Sequence, residues 1–148
     1  MKKKLGMLVA MFALLNTSAL ADSFGVRLGY PVGVQYNTTD PGETGSGFRV
    51  AIESYFVNVL VQGDLMLGRI KLGDNLPLNL FYGVGAHVGF GFYSSFLVGA
   101  QGTVGVEYLI QPGLSVGVDA SGGVSFYPGF TTPIQPYYGG SLFFNFKL

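Results

Sequence analysis

The side chains best suited to chemistry in this chain are a few charged residues and its single histidine. In a strand, successive side chains point to opposite faces. If the chain forms strands, eight of these residues fall on the face that carries glycine and serine. They are Arg27, Arg49, Glu53, Asp64, His87, Glu107, Asp119 and Lys147. Charges enclosed in a protein persist only when they are paired and hydrogen-bonded. The pattern therefore predicts a set of ion pairs inside a closed structure.

The heights of these charges predict two groups, if the first strand rises from the end that holds both chain termini. Arg27, Asp64 and Asp119 come near mid-height. Near the terminal end come Arg49, Glu107 and Lys147. We favour two clusters that plug the interior, because eight strands leave little space once side chains fill it. The alternative is a polar path for water or small solutes.

The histidine could serve a metal or a catalytic site only with partners from other strands. A metal would need carboxylates such as Asp64 or Asp119 beside His87, and the spacing gives no such signal. A membrane-embedded serine hydrolase would need Ser121 with Glu107 or Asp119. Serine on an inward face is common filler, so we expect a hydrogen-bonded interior histidine, with no catalytic residue, metal or cofactor.

The elements that position these residues are predicted to be strands. From Leu114 to Phe126 every second residue is apolar or glycine, and the alternate positions are small or polar. The same alternation, interrupted by proline, glycine and aspartate turns, recurs through the chain. It predicts eight strands near Phe24–Tyr30, Val32–Thr38, Gly47–Ser54, Phe56–Lys71, Leu78–Phe92, Phe96–Ile110, Gly113–Phe126 and Gln135–Leu148.

Side-chain volume indicates which face of these strands points inward. In the fifth strand one face is bulky, from Leu80 to Phe92, and the other is mostly glycine with His87. A small barrel has room only for the small face, so the bulky face is predicted to point outward. The inward glycines, such as Gly85, Gly99 and Gly105, would leave space for ordered water. Outward aromatic pairs could form two girdles: Tyr82 with Phe92, Phe96 with Tyr108, and Tyr138 with Phe146.

The N-terminus has the pattern of a secretory signal peptide. Lys2 to Lys4 precede an apolar stretch from Leu5 to Leu15 and the small-residue ending Ala19-Leu20-Ala21. We expect cleavage after Ala21, which gives a signal peptide at residues 1–21 and one domain at residues 22–148. The mature part holds five basic and eight acidic residues, so it offers no basic patch for nucleic acid.

Composition favours a membrane over water as the surroundings of this domain. Charged residues make up 11% of the chain, where soluble domains carry about a quarter. No apolar run after Ala21 is long enough for a transmembrane helix. A closed barrel is the other structure that satisfies every backbone group in lipid. We therefore expect an antiparallel, up-and-down, eight-stranded transmembrane β-barrel, an all-β fold.

The end of the chain carries the most specific signal, an alternation that runs to the last residue: Leu142, Phe144, Phe146 and Leu148. With eight strands behind a signal peptide, the chain resembles the small eight-stranded outer-membrane barrels of Gram-negative-type bacteria, the OmpA/OmpX-like group. That group usually ends in Phe or Trp, and Leu148 departs from it. The resemblance implies an integral protein of the bacterial outer membrane, surrounded by its lipid and recognised at this terminus by the barrel assembly machinery.

Together these observations predict a monomeric barrel with a structural or accessory role and no enzyme activity. Two alternatives stay open. One is a secreted, soluble barrel of lipocalin type that binds an apolar ligand, against which the low charge and glycine-rich inner face argue. The other is a membrane-embedded, lipid-modifying enzyme, which would lose activity when His87 is changed.

Overall fold

The computed structural model describes residues 23–55, 58–73, 75–91 and 96–148, and in these ranges the chain forms eight strands and no helix. Each predicted strand overlaps one observed strand, and the described ends coincide or differ by one residue, while the predicted ends Phe56 and Phe92 lie outside the described residues. The predicted signal peptide lies outside the described residues. The strands are β1 Ser23–Tyr30, β2 Val32–Asn37, β3 Gly47–Tyr55, β4 Asn58–Lys71, β5 Leu78–Gly91, β6 Leu97–Gln111, β7 Leu114–Phe126 and β8 Ile134–Lys147.

The strands form one closed, antiparallel barrel in which each is hydrogen-bonded to its neighbours in sequence order. β1 and β8 close the barrel over eight residue pairs, from Ser23 opposite Lys147 to Tyr30 opposite Gly140. Closure gives every strand a hydrogen-bonded neighbour on each side, so the sheet has no edge strand. The predicted all-β, eight-stranded up-and-down barrel is confirmed.

The barrel has two distinct ends. The terminal end holds Ser23 and Lys147, together with the described connecting residues 38–46, 72–73, 75–77 and 112–113. The distal end holds Pro31, between β1 and β2, and residues 127–133, between β7 and β8. Two predicted turns at the terminal end contain glycines with positive φ, Gly42 and Gly113. Among the described residues, no helix is long and apolar enough to cross a membrane.

The two faces of each strand differ as the volume argument predicts. On β5, Tyr82, Val84 and Phe90 are exposed, whereas Phe81 and His87 are buried. The described members of the predicted girdles are all exposed on the outer face, and Phe92 lies outside the described residues. These members are Tyr82, Phe96, Tyr108, Tyr138 and Phe146.

One irregularity changes the alternation within β4. The register between β4 and β5 shifts between Met66 and Gly68, which leaves Leu67 as an extra residue. Such a bulge moves every later residue of its strand to the opposite face. Arg69, which strict alternation places outside, is therefore inside and 6% exposed.

The inward glycines lie beneath large side chains, so the predicted water-filled space is wrong. A Cβ atom on Gly105 would collide with the ring of Phe81, and one on Gly117 would collide with the ring of Phe143. These two rings pack edge to face at 5.7 Å, beside Met66. The glycines supply room for aromatic rings and long polar chains that a small barrel could not otherwise hold.

Candidate functional site: the polar lumen

Five buried charged residues form the mid-barrel cluster: Arg27, Arg49, Glu53, Asp64 and Asp119. They are brought together by β1, β3, β4 and β7, each of which directs alternate side chains inward. Their side chains are at most 2% exposed in every ion pair they form. The cluster therefore has protein groups, rather than bulk water, as its electrostatic partners.

Arg49 joins two carboxylates. It lies opposite Asp64 in the β3–β4 ladder. Its Nε and Nη2 donate to Asp64 Oδ2 at 2.9 and 2.6 Å, and its Nη1 donates to Asp119 Oδ2 at 2.7 Å. Asp64 also accepts hydrogen bonds from Gln62 and Gln101. Both carboxylates are thus held by charged and neutral donors, which is the condition for keeping a buried charge.

Arg27, on β1, joins the same cluster. Its Nη2 donates to Asp119 Oδ1 and its Nη1 donates to Gln35 Oε1, both at 2.9 Å. Its Nε lies 2.8 Å from Glu53 Oε1. That contact lacks hydrogen-bond geometry, and neither Glu53 oxygen has a hydrogen-bond partner among the described residues. Glu53 therefore depends on Arg27 for its charge compensation more than Asp119 does.

The prediction that Arg49 lies in the terminal group is wrong, because Arg49 belongs to the mid-barrel cluster. Strands of a closed barrel are tilted and staggered, so position within a strand does not give height along the barrel axis. The second residue of the nine-residue β3 is Phe48, and Arg49 follows it opposite the middle of β4. The stagger of β3 against β4 raises Arg49 to the level of Asp64.

A second group, the terminal cluster, surrounds Glu107 and includes a residue that the alternation did not predict. Arg69 Nη1 lies 3.2 Å from Glu107 Oε2. Ser115 and Asn145 donate to the other carboxylate oxygen at 2.6 and 3.1 Å. Arg69 also lies over the ring of Phe81. The bulge in β4 brings Arg69 inside, and a bulge leaves no clear mark in the sequence.

Amides connect the two clusters. Gln35, which accepts from Arg27, donates to Asn145 Oδ1 at 2.7 Å. Asn145 in turn donates to Glu107. The amides lie at inward positions of their strands, so the alternation that found the charges could have found them too. The result is one hydrogen-bonded network that extends from mid-barrel to the terminal end.

Lys147 does not lie in the lumen, contrary to the prediction. Its side chain is 55% exposed, and its Nζ binds Asp40 Oδ2 of the β2–β3 connection at 2.5 Å. Lys147 is the last residue of β8, so its flexible chain can turn away from the barrel axis. We call this contact the rim pair.

His87 is held between a glutamine and a serine. Its Nδ1 lies 2.8 Å from Gln101 Oε1, and its Nε2 lies 2.7 Å from Ser125 Oγ. Gln101 must direct its amide nitrogen to Asp64, because an ionised carboxylate only accepts. Its oxygen therefore faces His87, so Nδ1 carries a proton and, in neutral histidine, Nε2 accepts from Ser125.

The hydrolase constellation considered from the sequence does not form. Ser121 shares a hydrogen bond with Thr103 instead of His87, and Glu107 and Asp119 are engaged elsewhere. The serine that His87 does meet, Ser125, is 1% exposed. The ring of Tyr137 packs against His87 at 4.4 Å and belongs to an apolar group with Leu60 and Leu97.

The network accounts for most of the charge in the described strands. Three guanidinium groups, from Arg27, Arg49 and Arg69, meet four carboxylates, from Glu53, Asp64, Glu107 and Asp119. Within the described ranges no group of three or more histidine, aspartate or glutamate side chains is arranged to hold a metal ion. What the arrangement does chemically is to fill the lumen with ion-paired side chains, in which each guanidinium group meets at least one carboxylate.

Comparison with known proteins does not identify a family for this chain. No protein-family model and no curated protein sequence matches the chain. Its function must therefore be argued from the barrel, its two faces and the lumen network.

Proposed function

We propose that this chain is an integral protein of a bacterial outer membrane, with a structural or accessory role and a polar, plugged lumen. The observation that carries the proposal is that the outer face of the closed barrel is apolar, whereas its inner face carries the charges. Of the charged residues on the described strands, only Lys71 and Lys147 are exposed, and each is the last residue of its strand. All others are enclosed.

The outer face supports a lipid environment. Large apolar side chains on it are about half exposed on several strands, as at Ile52, Leu65, Val104 and Val118. An apolar surface that surrounds a whole domain would drive aggregation in water. In a membrane it is the favoured surface, because strands of a closed barrel satisfy their own backbone groups.

The same proposal assigns residues 1–21 to a cleaved signal peptide and gives the chain two kinds of partner. One is outer-membrane lipid, and the other is the barrel assembly machinery, which would read the alternating end of β8. Leu142, Phe146 and Leu148 are exposed there on the outer face. The proposed protein is monomeric, binds no nucleic acid or cofactor, and catalyses no reaction.

The filled lumen supports plugging over transport and over the lipocalin-like alternative. Arg49 crosses the interior between Asp64 on β4 and Asp119 on β7. The ion pairs of the mid-barrel cluster occupy the space that a solute would need. Their charged groups do not form an apolar surface for an apolar ligand. An open path would require these pairs to separate, at the cost of stranding buried charges.

Membrane fractionation tests the location. The full-length chain, expressed in a Gram-negative host, is expected in the outer-membrane fraction, without residues 1–21 and resistant to extraction with alkaline carbonate. The detergent-solubilised barrel should migrate differently on gels before and after boiling. Recovery of folded protein from the soluble periplasm would refute the proposal and restore the lipocalin-like alternative.

Planar bilayer recording tests the plug. The purified monomer should give no large, long-lived conductance, since eight strands enclose too little space for the channel of a 16–18-stranded porin. Arg49→Ala, which opens the mid-barrel cluster, is the matched variant and should increase any small current. Stable porin-sized openings of the unaltered monomer would instead make Arg27, Asp64 and Asp119 part of a selectivity path.

A further inference from the structure

A pocket of about 270 Å³ opens at the terminal end of the barrel and borders the terminal cluster, since Gly42 in its wall donates its backbone NH to Glu107 Oε2 at 3.5 Å. Its walls come from β4, β5, β6, Gly42 of the β2–β3 connection and residues 75–77. Lys71, Asn75 and Asn79 provide its polar lining, and Leu76, Pro77 and Leu109 provide most of its apolar lining. Barrel mouths are frequent ligand sites, and this volume suits a ligand smaller than a typical drug.

Hydrogen bonds hold both walls of this pocket in place. On one side, the backbone NH of Leu109 donates to Pro77 O at 2.7 Å, and that of Leu72 donates to Leu78 O at 2.8 Å. On the other side, Gly45 N donates to Arg69 O at 3.0 Å, and Gly42 lies against the side chain of Leu109. The pocket is therefore formed without a ligand.

Asn79 is the buried polar group of the pocket. It is 4% exposed and lines the cavity, yet its side chain makes no hydrogen bond to any described residue. The amide therefore keeps free donors and a free acceptor at the pocket wall, where water or a ligand can bind them. A ligand in the pocket would supply the partner that the described protein does not.

Lys71 gives the pocket its charge. It lies opposite Asn79 in the β4–β5 ladder. Arg27, Arg49, Arg69 and Lys147 each form an ion pair, whereas Lys71 forms none with a described residue. Glu107, which is the partner of Asn79 on β6, is already engaged by Arg69. The pocket thus presents an exposed ammonium group, without an ion pair to a described residue, beside an amide that has no hydrogen-bond partner among the described residues.

We propose that the pocket binds a phosphate ester, with its phosphate at Lys71 and Asn79 and its apolar part against Leu76 and Leu109. Phosphate offers several acceptor oxygens to a lysine and two asparagine amides, and charge-assisted hydrogen bonds are the strong ones. Leu76 is 59% exposed and gives an apolar group a place to lie. The phosphate could come from a free organic phosphate or from a lipid headgroup.

Titration of the folded barrel in an uncharged detergent tests this site and separates the two sources. The probes are glycerol 3-phosphate, dihexanoylphosphatidylglycerol below its micelle concentration, and glycerol as the neutral control. NMR signals of the Asn79 side-chain amide and of the Leu76 and Leu109 methyl groups should shift saturably with at least one phosphate probe. Saturation by glycerol 3-phosphate supports a free phosphate, and saturation by the lipid alone supports a headgroup.

Variants distinguish a specific site from general attraction between charges. Lys71→Met should weaken binding about tenfold or more, the loss expected of a charge-assisted contact. Lys71→Arg should retain most of the affinity, and Asn79→Leu should lose most of it. Lys147→Met removes the same charge from the same end and should leave the affinity unchanged, with folding of each variant checked by its gel shift on boiling.

Two results would overturn the site. One is the lack of saturable shifts with both phosphate probes, and the other is equal weakening by Lys147→Met and Lys71→Met. Because the titration is done on folded protein in detergent, neither result depends on the membrane location, which fractionation tests separately.

Discussion

Neighbouring residues on β7 experience opposite surroundings. Val118 is 50% exposed on the outer face, whereas Asp119, the next residue, is 6% exposed on the inner face. Asp119 accepts hydrogen bonds from Arg27, Arg49 and Ser141. The outer face of this barrel thus carries its apolar side chains, and the inner face carries its charge.

This difference shows that the two faces are stabilised in different ways. The inner charges compensate one another, so each depends on a particular partner across the lumen. The outer side chains form none of the described ion pairs that fill the lumen, and in the proposed membrane they depend on the lipid around them. Substitutions on the inner face should therefore have specific, coupled effects, and those on the outer face should depend on depth.

The largest effect is expected from separating Arg27 from its carboxylates. Arg27→Met should lower the unfolding free energy by about 3–5 kcal/mol, because it removes the ion-pair partner of the buried Glu53. Adding Glu53→Gln should recover more of this loss than adding Asp119→Asn, since Asp119 keeps Arg49. Urea unfolding in lipid vesicles measures these values.

The matched control for this cycle is Asp64→Asn, whose carboxylate binds Arg49 instead of Arg27. The losses of unfolding free energy from Asp64→Asn and Arg27→Met should nearly add in the double variant. Those from Glu53→Gln and Arg27→Met should depart further from additivity. Additive effects for Glu53→Gln as well would remove Glu53 as the partner that Arg27 neutralises.

On the outer face the expected loss of unfolding free energy is smaller, and it depends on the depth of the substituted residue in the proposed membrane. Val118→Arg should cost about 2–4 kcal/mol near the midplane, and Ile134→Arg, at the distal end of β8, about 0–1 kcal/mol. The same unfolding measurement in vesicles applies. Equal costs at the two sites would contradict a lipid-facing belt.

A third contrast uses glycines on opposite faces. Gly105→Ala should destabilise the barrel by about 1–3 kcal/mol, because its Cβ would collide with the Phe81 ring and the Val118 carbonyl. Gly122→Ala, which meets no atom within 4 Å, should stay within about 0.5 kcal/mol of the unaltered protein. Similar losses would refute the close inner packing.

The rim pair should give the smallest effect. Lys147→Met removes an exposed ion pair, which is screened by water and salt. We expect little change in the urea midpoint, and less at high salt than at low salt. A loss comparable to that of Arg27→Met would show that the rim pair belongs energetically with the lumen network.

The sequence predicted well where the strands lie and which face of the sheet each residue occupies. It predicted contacts between side chains poorly. Strand alternation placed Arg27, Asp64, His87 and Asp119 inward, where the structure has them. It missed Arg69, because one extra residue at Leu67 reverses the face. It expected a hydrogen-bonded interior His87 but did not name its partners, which in the structure are Gln101 and Ser125.

By itself, the sequence determined the all-β class, the number of strands and the face on which most side chains lie, because alternation of period two is a local property of a strand. The tertiary structure decided the height of each residue and its partner. It placed Arg49 opposite Asp64, Arg69 inside and Lys147 at the rim. These outcomes depend on the stagger between strands, on a bulge and on long side chains, all of which are set by pairing between distant segments.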